Sequence, residues 1–248
     1  MTAMDAVNWR QLWHHTATYL TGAGHHPSRL LVLATAVVAL AAVASSRIWP
    51  VTRTVVTIAH EGGHALMALL AGRRVSGVRV MRSTAGVTVS EGSAAGPGIV
   101  LTAAAGYLTP PLFGLGAAAL LATGHLAGML MLSLAMLAAL AVAIRNAYGL
   151  LAVLLTGAAV ALVLWRASAL GEYAFGYALT WFLLFGGLRP VLELQRTRRR
   201  RQPCHAGGRT DADQLAVFTG VPAGLWVAAF GMVALGALVI SAWWLLRW

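Results

Sequence analysis

At 248 residues, 59% apolar and only 10% charged, the chain falls far short of the roughly 25% charged residues of a soluble domain, which excludes an ordinary globular enzyme. The formal net charge is +11 and all 18 basic residues are Arg, but they stand between apolar stretches rather than on one basic module, which excludes a nucleic-acid partner and fits topology and anionic lipid. A single Cys excludes an internal disulfide.

Residues 1–28 hold several His and no apolar run of signal-peptide type, and predict a cytoplasmic N-terminal tail. Residues 29–248 predict one membrane domain, an all-α polytopic fold of about seven transmembrane helices with a short β-hairpin after the second. The spans are 29–48, 51–71, 98–122, 126–144, 148–165, 173–188 and 221–246, each near the roughly 20 residues that cross about 30 Å of hydrocarbon. With the N-terminus inside, the cytoplasmic segments hold Arg10, Arg29, Arg73, Arg74, Arg79, Arg82, Arg145, Arg189, Arg196, Arg198, Arg199, Arg200, Arg201 and Arg209. Arg47, Arg53, Arg166 and Arg247 fall outside. The positive-inside rule then favours N-terminus in and, for an odd span count, C-terminus out.

The second span, a predicted helix over 51–71, carries His60-Glu61-Gly62-Gly63-His64 among Val, Thr, Ile, Ala, Leu and Met. Two His four residues apart share one helix face and can both ligate Zn²⁺. The Glu between them is placed to take a proton from a metal-activated water. With eight His in the chain, shuffling produces this pattern in about 1 of 250 sequences. Ionisable groups at membrane depth are functional candidates by default. The motif begins about nine residues into the span, nearer the middle of the membrane than its edge. Gly62, Gly63 and Gly106 favour close approach of a neighbouring helix or of substrate backbone.

Residues 75–90 alternate apolar and polar side chains around Ser83-Thr84-Ala85-Gly86, the pattern of a β-hairpin. Its edge either accepts an extended substrate strand or only connects two spans. Pro110-Pro111 predicts a kink or break in the third span. Asn146 is either a polar donor to an oxyanion or an interhelical hydrogen-bonding group or cap. Residues 189–209 predict an Arg-rich loop, and the run from Arg196 to Arg201 fits anionic headgroups or an acidic partner. Residues 211–246 predict the last helices.

A catalytic zinc takes three protein ligands, so two His leave the site incomplete. Asp211 and Asp213 lie together before the last span, where Thr210 is a candidate N-cap and both carboxylates fall in the first turn of a helix. Either Asp is a ligand or simple helix-start electrostatics. Cys204 and His205 form another possible source.

The His60–His64 motif, the hairpin after it and an Asp at the start of a late helix resemble the site-2 protease family of intramembrane zinc metallopeptidases. Ala105-Gly106-Tyr107, Arg145-Asn146 and the stretch from Thr210 to Ala216 are similar to its small bacterial branch. No inter-span loop is long enough for a PDZ-like insertion. The resemblance implies that His60 and His64 ligate zinc, that Glu61 is the catalytic base and that Asp211 is the third ligand, with Asp213 in reserve. The family pattern is Leu-Asp-Gly near a Pro, whereas this chain has Thr210-Asp211-Ala212. It implies cleavage of membrane-embedded or membrane-anchored proteins. The alternative is a catalytically silent metal-binding membrane protein or scaffold, which needs the ligands but not Glu61. A metal transporter fits less well, because the other spans are nearly devoid of polar sites.

Overall fold

A computed structural model describes residues 27–81, 86–93, 95–199 and 210–247. In chain order these form α1 (Arg29–Ala44), α2 (Trp49–Leu70), β1 (Arg74–Val80), β2 (Gly86–Glu91), α3 (Pro97–Ala122), α4 (Leu126–Ala143), α5 (Ala147–Arg166), α6 (Ala169–Arg199), α7 (Asp211–Thr219) and α8 (Ala223–Leu246). Cys204, His205, Arg200, Arg201, residues 82–85, where the sequence predicts the hairpin turn, and residues 1–26 lie outside the described residues.

Local chemistry sets the boundaries. The Ser28 side chain caps α1 by accepting from the Leu31 N–H. Pro lies in the first turn of α2 and of α3, where a missing N–H costs nothing. Thr210 and Asp213 close a reciprocal capping box on α7, and Gly220 ends that helix in the left-handed region at φ 72°.

Five helices, α3, α4, α5, α6 and α8, are each long and apolar enough to cross a membrane. α1 and α2 pass that test only together, bent by 102° at the break between them, so the described residues hold five spans, or six with the bent pair counted as one, in rough agreement with the expected all-α polytopic fold. The elbow is tied to α6. Arg189 donates to the Val43 carbonyl, and the guanidinium carbons of Arg189 and Arg53 lie 4.7 and 5.7 Å from the Trp49 ring centre. Val43, Trp49 and Val56 bury themselves together against Phe182 and Phe185.

One apolar cluster joins Val32, Leu121, Leu126, Tyr177 and Leu245. A second joins Ala103, Leu194, Ala212, Leu215 and Ala223. The start of α1 and the end of α8 therefore share one end of the bundle, while α7 and the end of α6 sit at the other.

Two expectations change. α6 runs through the predicted 189–209 loop as far as Arg199. Its extension is supported by the Arg189–Glu193 pair at i,i+4, 2.8 Å apart, and by residues of high helix propensity. Pro110 and Pro111 do not break α3, which continues to Ala122. Both are buried, and Gly187 leaves room for Pro111, 2.7 Å from where a Cβ would stand. Neighbouring packing thus holds the helix across the interruption.

The hairpin pairs antiparallel, with Val78 opposite Thr88 and Val80 opposite Gly86. Its β1 edge is covered by the α4–α5 corner. Val78 bridges Ile144 in parallel and its carbonyl accepts from the Arg145 N–H at 2.8 Å. The Asn146 side chain clamps Val80, accepting from its N–H at 3.1 Å and donating to its carbonyl at 2.7 Å.

Candidate metal centre

One face of α2 carries His60, Glu61 and His64, and three other elements close over it. Their candidate ligand atoms lie within 4.8 Å of one another, a group that could hold a metal ion. α7 brings in Asp211, whose Oδ2 lies 3.1 Å from His60 Nε2 and 3.3 Å from His64 Nε2. The two Nε2 atoms are 3.1 Å apart. His60 Nε2, His64 Nε2 and Asp211 Oδ2 thus form a triangle with sides of 3.1–3.3 Å, and Glu61 lies beside it.

Tetrahedral zinc with bonds of about 2.0–2.1 Å sets its ligand atoms about 3.3 Å apart, close to all three sides of this triangle. The hydrogen bonding adds a chemical reason. His64 Nδ1 lies 2.7 Å from the Thr102 carbonyl, which only accepts, so Nδ1 must donate. In the neutral ring this leaves a lone pair on Nε2 facing a carboxylate oxygen and another imidazole nitrogen. A cation or an added proton has to reconcile them. The His64 side chain is 11% exposed, whereas those of His60 and Asp211 keep 21% and 18% of their surface, which marks the more open side.

The glycines make this closure possible. A Cβ on Gly106 of α3 would collide with the Nε2 atoms of both His, and one on Gly63 would collide with the Thr109 side chain. The Tyr107 ring meets the His60 ring edge-on at 5.0 Å and stacks on Phe230 at 5.1 Å, walling one flank.

β2 covers Glu61. The Thr88 hydroxyl donates to Glu61 Oε2 at 2.6 Å, and a Cβ on Gly86 would strike the same carboxylate. Among the described residues, Thr88 is the side chain that hydrogen-bonds this acid.

The other sequence candidates go elsewhere. Asp213 turns away and accepts from Arg198 at 2.5 Å and from Thr210 at 2.6 Å. Burial works against its charge, but the bonds from Thr210 and Arg198 prevail and hold its carboxyl below the usual range. Asn146 commits both ends of its amide to Val80, as an interhelix-loop clamp rather than a group aimed at the cluster. Thr88, Thr102 and Tyr107 escaped the sequence reading of roles. Tyr107 sits in a stretch that carries the family resemblance, but Thr88 and Thr102 act on residues 27 and 38 positions away, with no local signal.

No curated protein and no solved structure matches the chain. A family model, Peptidase M50B-like, matches residues 33–241, a range that includes α2, the hairpin, α3 and α7. The chain belongs to the Peptidase M50B-like family, a site-2 protease family.

Proposed function

We propose that this multi-pass membrane protein is an intramembrane zinc endopeptidase that hydrolyses peptide bonds of membrane-embedded or membrane-anchored proteins. The observation that carries the reading is the convergence of His60 Nε2, His64 Nε2 and Asp211 Oδ2 within 3.1–3.3 Å beside a buried glutamate. His60, His64 and Asp211 would hold the zinc. When bound it would supply Lewis acidity, easing deprotonation of water and polarising the scissile carbonyl. Glu61 accepts the proton of the attacking water and delivers it to the nitrogen of the leaving amine. His64 is oriented by Thr102, and Tyr107 with Phe230 keeps lipid and bulk water off the His60 flank. Asp213 and Asn146 serve as cap and clamp in this reading.

The outer edge of β2, which has no backbone partner among the described residues, supports an extended substrate. The Val78 carbonyl and both backbone groups of Val80 point toward the α4–α5 corner. Their partners across the ladder, Thr88 and Gly86, therefore direct their own N–H and C=O groups outward from β2. A strand added there would pair beside Glu61 without a sequence requirement.

The end of the bundle that holds Arg73, Arg74, Arg79, Arg145, Arg189, Arg196, Arg198 and Arg199 is proposed as cytoplasmic, against Arg29, Arg166 and Arg247 at the other. Counted as six crossings, this orientation puts Arg29 outside, whereas the sequence reading has the N-terminus inside. Arg196 and Arg199 would meet anionic headgroups, while Arg198 serves Asp213.

The test is zinc content by elemental analysis on detergent-purified protein, paired with cleavage of a membrane-anchored polypeptide in liposomes. About one zinc per chain is expected, lost in His64→Ala and in Asp211→Ala but kept in Glu61→Gln, with cleavage lost in all three. Cleavage by Glu61→Gln would overturn the mechanism. Zinc in a wild type that cleaves nothing would favour the silent metal-binding alternative.

A further inference from the structure

We propose that Thr88 is a positioning residue for the general base: its hydroxyl holds the Glu61 carboxylate in the orientation that proton transfer needs, and so ties that orientation to the substrate-binding strand. The inference rests on the protease reading and deepens it.

The Thr88 Oγ1–Glu61 Oε2 separation of 2.6 Å is that of a charge-assisted O–H to carboxylate bond. A second acceptor, the Glu61 carbonyl, lies at 3.2 Å, so the single hydroxyl proton is shared unequally and the carboxylate takes the larger part. Glu61 is 2% exposed, which leaves few alternatives for satisfying its oxygens. Gly86, two residues earlier on the same strand, brings bare backbone against the other carboxylate oxygen, Oε1, where any side chain would collide. One oxygen is therefore held by a donor and the other is hemmed in by main chain.

The placement of these contacts also matters. Gly86 and Thr88 are positions of β2 whose backbone groups face its outer edge, as the pairing of Val78 and Val80 requires. A strand docked on that edge would hydrogen-bond the backbone of the residues that touch Glu61. Movement of β2 on docking would thus be felt at the carboxylate through Thr88. β1 cannot yield in the same way, because the corner at Ile144–Asn146 pins it.

The test compares Thr88→Val, which keeps the shape and deletes the hydroxyl, with Thr88→Ser, which keeps the hydroxyl. The first readout is infrared spectroscopy of zinc-loaded protein labelled with ¹³C-glutamate, the Glu61 band being assigned by its loss in Glu61→Gln. That band should shift in Thr88→Val and stay in place in Thr88→Ser. The second is steady-state cleavage of the membrane-anchored polypeptide. Thr88→Val should lose at least about tenfold in kcat with KM and zinc content unchanged, a fraction of what a general base contributes. Thr88→Ser should recover to within about threefold. An unmoved band in Thr88→Val, or a moved band with wild-type kcat, would overturn the proposal. So would loss of zinc in Thr88→Val, since the residue would then be structural. Failure of the protease reading would be seen instead in the wild type, as absence of cleavage.

Discussion

The two faces of α2 are packed to different standards. On one, His60, Glu61 and His64 are closed in by α3, α7 and β2, with glycine at the close approaches of α3 and β2. On the other, Ile58, Gly62, Ala65 and Leu69 line an apolar opening of about 360 Å³ toward α3 and α4. This opening touches none of the side chains of His60, Glu61, His64 or Asp211, so an apolar opening is a poor guide to where the polar cluster lies. Polar groups in a membrane must find partners within the protein, since lipid offers them none. Apolar groups are as well served by lipid as by another helix, so nothing forces that side shut. The adjacent glycines mark the boundary. A Cβ on Gly62 would meet Leu140 at an ordinary 3.5 Å, while one on Gly63 would collide with Thr109.

The largest expected effect comes from breaking the closed face at its tightest point. Gly106→Val should abolish zinc binding and reduce cleavage to background, because both imidazoles must move. Zinc titration against a chelating dye measures the loss, and a variant that binds zinc like wild type would show that α3 does not confine the His pair. Gly63→Ala should come next, destabilising by roughly 1–3 kcal/mol through overpacking against Thr109. Thermal unfolding in detergent reads this, and Thr109→Ala should restore part of the loss in the double variant.

Asp213→Ala should destabilise by about 1 kcal/mol by removing the capping box and the Arg198 pair. It should keep one zinc per chain, unlike Asp211→Ala. Equal zinc loss in both would erase the distinction drawn between these carboxylates. The smallest effect belongs to the open face. Gly62→Ala should leave zinc content and cleavage unchanged and alter stability by no more than about 1 kcal/mol, toward greater stability on helix propensity. A Gly62→Ala protein as damaged as Gly63→Ala would mean that the two faces do not differ.

The sequence by itself determined whatever depends on spacing along one element. Four residues between His60 and His64 place both imidazoles on one helix face wherever that helix is put. Alternation in 75–90 specifies a hairpin, and it appears as Arg74–Val80 paired with Gly86–Glu91. Thr210 with Asp213 reads as a helix start, and α7 begins there. Only the tertiary structure decided what depends on the meeting of distant elements. Asp211 and Asp213 have the same chemistry and sit two residues apart, but two residues turn about 200° around a helix, so one meets the His pair and the other Arg198. The elbow between α1 and α2 is tied by Arg189 reaching Val43 across 146 residues. Thr88 carries no mark in its strand that it will hold Glu61. Local order follows from the repeat of the chain, whereas partner choice follows from which surfaces the fold presses together.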